Sequence, residues 1–277
     1  MIFRELSVAK HLSSLVKHLK SSFQDLHRLF EQSITVRDIA EPLTSFDYDY
    51  CAKKARLFMD KNGFDVLGVQ QDGVTRSYVL RDSLEEGKVG DYSHKLGSND
   101  ILSESEPLLN ALDVLSERQW IFIRFLGNPS GVVTRGDLQK APVRMWLFGL
   151  VSLLEMQMLR CIRACEETEG WWQSLLATSR NEMAKQLYKQ RKMDNVEIFV
   201  SDCLQLCDKG TIFRKDERLF QYTGYTAKSD WKSFMKRIES LRNNLAHSND
   251  LGSESMSEIA VLAREMEKVL SSLEKQI

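Results

Sequence analysis

The apolar positions of the chain fall into three successive rhythms. From Arg4 to Phe30, residues Leu6, Leu12, Leu15, Val16, Leu19, Phe23, Leu26, Leu29 and Phe30 recur mostly every three or four positions. That spacing predicts an amphipathic helix whose stripe needs a partner. From Ile34 the units shorten. Cys51 to Asn62 reads as a helix, Phe64 to Val69 as a strand, Gln71-Asp72-Gly73 as a turn, Ser77 to Leu80 as a second strand, and Arg81 onward as another helix. The order then returns: Pro107 to Glu117 helical, Trp120 to Leu126 a strand, Gly127 to Gly131 a turn, Val132 to Thr134 a strand, Asp137 onward helical. Aligning Leu84 with Leu138 gives an offset of about 54 residues, the mark of a duplicated supersecondary unit.

After Ala141 no strand-like alternation persists, and Pro142 stands where the first turn of a helix accepts it. Val143 to Cys165 is apolar on nearly every side, which suits the centre of a bundle or a dimer interface. Leu175 to Lys192 reads as a polar helix, and Glu197 to Asp208 as a shorter apolar one stopped by Gly210. Thr211 to Thr226 carries turn residues and little periodicity. Ser229 and Asp230 begin a helix striped with Trp231, Phe234, Ile238, Leu241 and Leu245, and Ile259 to Leu273 forms the last one. The expectation is an α+β chain in three parts: an N-terminal amphipathic helix (1–33), a duplicated α/β module (34–140) and an all-α helical bundle (141–277).

Composition narrows the class. With 277 residues, 43% hydrophobic and 28% charged, the chain suits two soluble globular domains better than disorder. The formal net charge of −1 gives no overall attraction to nucleic acid, so a polyanion site must be a local cluster. The first twenty residues scatter Lys, Arg and His through their apolar positions and lack a secretory core. Met145 to Leu154 is much shorter than the ~20 residues that span a bilayer, so a buried helix and no membrane are expected. Five cysteines, an odd number, point to reduced thiols in the cytoplasm. Cys161/Cys165 and Cys203/Cys207 are spaced four apart, as four zinc thiolates of a redox sensor or as small apolar residues in a helical core. The core role is preferred and no metal is expected. His11, His18 and His27, seven and nine apart, have poor spacing for metal ligands.

Gly131-Val132-Val133-Thr134-Arg135-Gly136-Asp137 resembles the signature of CBS domains, in which a glycine leads a strand, Ser or Thr follows three positions later, and Asp closes three beyond. The resemblance covers roughly residues 34–140. It implies a tandem CBS (Bateman) module that binds AMP, ADP, ATP or a related adenosyl ligand. Thr134 would donate to phosphate at a helix N-terminus and Asp137 would accept ribose hydroxyls. Gly131 leads the strand, and main-chain groups near Ile101 to Ser103 would read the adenine edge. Thr134 and Asp137 also suit a plain helix cap. In the first unit Leu80 and Ser83 stand at their positions, with Asp82 next door, so one site per chain is expected.

Arg242-Asn243-Asn244-Leu245-Ala246-His247 resembles the ribonuclease motif of the HEPN family. That resemblance implies a homodimer whose paired motifs cleave single-stranded RNA without metal, by attack of the 2′-hydroxyl on the adjacent phosphate. His247 would move protons, Arg242 would stabilise the phosphorane and Asn243 would orient the imidazole. Residues 243 and 247 share a helix face, whereas 242 and 247 diverge unless the helix breaks, as Ser248 to Gly252 would allow. Arg and His are also favoured in the last turn of any helix, and Glu239 stands where it could pair with Arg242. Glu155 and Arg160 would line the same cleft or the helix surface. Lys185, Lys189, Arg191 and Lys192 form a basic patch that would guide RNA or simply solvate a helix face. Both resemblances imply dimers. The alternative is a non-catalytic, nucleotide-responsive protein whose helical domain docks onto a partner.

Overall fold

A computed structural model describes residues 34–165, 170–193, 198–246 and 256–276, with positions 25, 28 and 29 upstream. The helix expected over 1–33, His247 and the break at Ser248 to Gly252 lie outside the described residues. The architecture is α+β, and the chain divides into two compact units. One contains Phe30–Leu147 with Asn244–Ala263, the other Phe148–Asn243 with Arg264–Ile277. The boundary therefore falls inside a helix that begins at Ala141, rather than at its start.

The first unit runs β1 (Glu41–Pro42), β2 (Ser45–Asp47), α1 (Ala52–Asn62), β3 (Val66–Gln71), β4 (Val74–Leu80), β5 (His94–Lys95), β6 (Ile101–Ser103), α2 (Leu108–Glu117), β7 (Trp120–Phe125) and β8 (Asn128–Thr134). Two four-stranded sheets result, ordered β2-β3-β4-β5 and β1-β8-β7-β6. In each repeat the first strand runs parallel to the second, and the second and third form an antiparallel hairpin.

The duplication reaches into details that sequence pattern does not show. A register shift lies between Val69 and Gln70 in one hairpin and between Ile123 and Arg124 in the other. The hairpin tips carry Asp72 (φ 51°) and Gly73 (φ 74°) in one repeat, Leu126 (φ 46°) and Gly127 (φ 90°) in the other. Such primed turns match the right-handed twist of the strands they join. Core positions correspond as well: Ala52 and Leu108, Met59 and Leu115, Leu67 and Ile121, Val79 and Val133, Leu84 and Leu138 are all buried. The repeats thus build their cores from equivalent positions.

Helices expected after Leu80 and at Asp137 are instead 3-10 turns, Arg81–Ser83 and Arg135–Gln139. In the second repeat Pro142 supplies the reason. It has no N–H to donate backward, so the α-helix starts afresh at Ala141.

That helix, α3 (Ala141–Ala164), is longer than the apolar stretch that announced it. Its 24 residues are long and apolar enough to cross a bilayer, a property shared by the core helices of soluble bundles. More than half of the apolar window is buried. The chain continues with α4 (Thr178–Met193), α5 (Leu206–Lys215), α6 (Glu217–Tyr222), α7 (Lys228–Ala246) and α8 (Met256–Glu274), the last two crossing the division between the units.

Two expectations fail here. Gly210 does not stop a helix; it lies buried inside α5, where a Cβ would meet Met235 Cε at 2.9 Å and where Trp231 Nε1 donates to its carbonyl. The glycine is needed for close packing. Thr211 to Thr226, which looked aperiodic, contains the rest of α5 and all of α6; Asp216 caps α6 through Leu219 N–H, and Ile212, Phe213, Leu219 and Phe220 are buried. Within this unit, Lys209 (5% exposed) meets Glu155 at 3.0 Å, and Arg180 grips Asp208 with two hydrogen bonds.

Candidate functional site

Because β1 precedes the first repeat yet pairs with β8 of the second, Pro42 opposite Gly131, residues 41–44 lie beside the exit of β8. A cleft of ≈ 850 Å³ opens there. Its walls include Glu41, Phe64, Asp65, Trp120, Thr134 and Asp137. The repeat-related position holds a much smaller cleft of ≈ 180 Å³. Side-chain size accounts for the difference: Tyr78 and Leu80 stand where the second repeat has Val132 and Thr134. The Tyr78 ring packs against Phe122 (5.1 Å between centroids) and His94 (5.4 Å), and Arg118 pairs with Asp100 at 2.8 Å.

At the open cleft, Thr134 donates to Asp137 Oδ2 through its backbone N–H (2.7 Å) and its hydroxyl (2.9 Å). Asp137 is 8% exposed, and its Oδ1 takes the Lys140 ammonium at 2.9 Å. Lys140 also bonds Glu41 and the carbonyl of Ile39. Burial works against this ammonium, but its hydrogen bonds to Glu41 and Asp137 outweigh that and raise its pKa. Arg135 turns Nε to the carbonyls of Leu115 (2.9 Å) and Arg118 (3.0 Å), and Nη2 to that of Ser116 (3.3 Å). It caps the C-terminal end of α2, where a cation is favoured.

Thr134 and Asp137 therefore meet in the cleft wall, in the capping arrangement their residue types also suit. Gly131 and Ser103 do not line it. Gly131 sits inside β8, where a Cβ would lie 2.5 Å from Phe125 Cε2, and Ser103 is on β6 at the far edge of the sheet with its hydroxyl 3.0 Å from that of Ser105. The backbone of Ile101 to Ser103 does not line the cleft, whereas residues 41–44 do. Phe64, Trp120, Glu41 and Lys140 were not anticipated; the aromatic pair, at the helix-to-strand junction of each repeat, was the available signal.

In the other unit, Arg242 is half-buried and Asn243 exposed near the end of α7, with Arg242 Nη2 3.4 Å from Asn243 Oδ1. Glu155 is held by Lys209, whereas Lys189, Arg191 and Lys192 are exposed. None of the five cysteines is in a disulfide, and among the described residues no three metal-ligating side chains cluster.

No family model matches the chain, and no curated protein matches it. Its fold is similar to solved CBS-domain structures over about two fifths of its length. A CBS-domain protein from Bacillus anthracis str. Ames Ancestor is 16% identical, covering 39% of this chain and 91% of that one with a TM-score of 0.35. CBSX2 of Arabidopsis thaliana in complex with AMP is 18% identical, covering 40% and 97% with a TM-score of 0.36. The CBS domain of a bacterial CNNM/CorC-family Mg2+ transporter in complex with ATP is 14% identical, covering 42% and 90% with a TM-score of 0.35.

Proposed function

We propose that the cleft binds an adenosyl ligand and that the chain is a nucleotide-responsive regulatory protein of the reducing cytoplasm. The observation that carries this reading is the asymmetry of the duplication: one of two related clefts stays open, and Thr134 and Asp137 stand in its wall. Phe64 and Trp120 offer apolar surface to a base, while the hydroxyl and carboxylate suit a phosphate and a ribose. A bound ribose would share the carboxylate that now caps Thr134. Calorimetry with adenosine and its phosphates tests it. Asp137→Ala should weaken binding by about 1–3 kcal/mol, the cost of an orphaned buried hydrogen bond. Unchanged binding overturns the assignment.

For the output we propose metal-independent cleavage of single-stranded RNA by a homodimer, through Arg242, Asn243 and His247. Two features support coupling and pairing. Arg144, one turn beyond Lys140, donates to the carbonyls of Asn244 (3.1 Å) and Leu245 (3.2 Å) at the end of α7, the helix that carries Arg242. Met145, Phe148 and Met156 are exposed along α3, as a helix paired with a second copy would require. RNA incubated with the protein in EDTA should end in 2′,3′-cyclic phosphates, and Arg242→Ala or His247→Ala should abolish the reaction. RNA left intact would favour the non-catalytic protein that docks onto a partner.

A further inference from the structure

We propose that the cleft selects adenosyl ligands bearing one phosphate or none, and discriminates against the di- and triphosphate; this rests on the adenosyl reading above. The charges of the wall decide it. Three carboxylates line the cleft, Glu41, Asp65 and Asp137, against a single lining cation, Arg135. The cations behind those carboxylates are already shared. Lys140 is held by Glu41 and Asp137 together, and Arg81 by Asp60 (3.9 Å), Asp65 (3.0 Å) and Asp82 (3.4 Å). Five carboxylates thus divide two cations.

Arg135 commits Nε and one N–H of Nη2 to three carbonyls of the α2 end, leaving its remaining Nη hydrogens, on one guanidinium, for a ligand. That guanidinium, joined by the Thr134 hydroxyl once it turns away from Asp137, suits one phosphate. A second or third would add charge beside Glu41 and Asp65 with no further cation among the described lining residues to meet it, and like charges at short range repel strongly in a partly desolvated site. Room is not the limit, since ≈ 850 Å³ exceeds the volume such a ligand needs.

The test is calorimetry of the full chain with adenosine, AMP, ADP and ATP, without magnesium and at fixed ionic strength. AMP should bind about tenfold or more tighter than ATP, with ADP between them. Raising the salt should shrink that ratio, because screening weakens the repulsion, and this arm needs no substitution. Glu41→Gln, at an exposed side chain, should shrink it as well. ATP binding as tightly as AMP, or a ratio indifferent to salt, overturns the selection while leaving the adenosyl reading standing. Failure of all four compounds to bind overturns the adenosyl reading and the selection with it.

Discussion

Thr134 gives both its backbone N–H and its hydroxyl to the same oxygen of Asp137, and the other oxygen of that carboxylate holds Lys140. Thr35 and Asp38 repeat the cap at the entrance to the module, with distances of 2.7 and 3.3 Å. Asp137→Asn and Asp38→Asn should each lower stability by about 1 kcal/mol in urea unfolding, the usual worth of a cap. Adenosyl affinity should fall only in the first. Equal losses of affinity would detach Asp137 from the ligand.

The hairpin tip of the second repeat holds Leu126 at a positive φ of 46° with 96% of its surface exposed. A branched apolar residue is disfavoured there, whereas Asn and Asp tolerate the left-handed region, and Asp72 occupies the related position. Leu126→Asn should raise stability by ~0.5–1 kcal/mol, seen as a melting temperature higher by a few degrees. A lower melting temperature would contradict the turn geometry.

Gly131 is fixed by close approach, since its added Cβ would lie 2.5 Å from the Phe125 ring and 3.2 Å from Ile123 Cβ. Gly131→Ala should cost ~1–3 kcal/mol through overpacking. Phe125→Ala in the same chain should recover part of that loss, and a double-mutant cycle with no coupling would argue against the contact.

Two weak acids, the buried Cys161 and the half-buried Tyr225, set an alkaline limit. Burial pushes the Cys161 thiol up to about 12 from 9.0, with Cys165 adding to it, and burial followed by Glu265 pushes the Tyr225 phenol up to about 12 from 10.0. Both groups keep their protons longer folded than unfolded. Their stabilisation is therefore complete below pH 9 and is lost as the pH rises toward 12. Urea unfolding between pH 8 and 11 should show stability falling, by up to ~3 kcal/mol across the range for Cys161. Cys161→Ala should flatten the early part of that slope.

Much of the first unit was legible because its information is local. Alternation marked β3 and β7, Gln71-Asp72-Gly73 marked a turn, and the offset between Leu84 and Leu138 marked the duplication. The partner of β1 was not legible, because a two-residue strand that pairs with β8 some ninety residues later leaves no periodic trace. Hence the pattern points to Ser103, which lies off the cleft, and gives no sign of Glu41, which lines it. Gly210 misled for a related reason: a glycine that ends a helix and one that admits Met235 read alike until the neighbouring helix is in place.

The Tyr78 ring has a consequence for the shape of any response. A module with two equivalent clefts could bind its ligand cooperatively within one chain, whereas here the cleft lined by Tyr78 is only ≈ 180 Å³ against ≈ 850 Å³ for the other. Occupancy of a single chain would then rise hyperbolically with ligand concentration, graded rather than switch-like. Any steeper dose–response would have to come from coupling between copies of the chain.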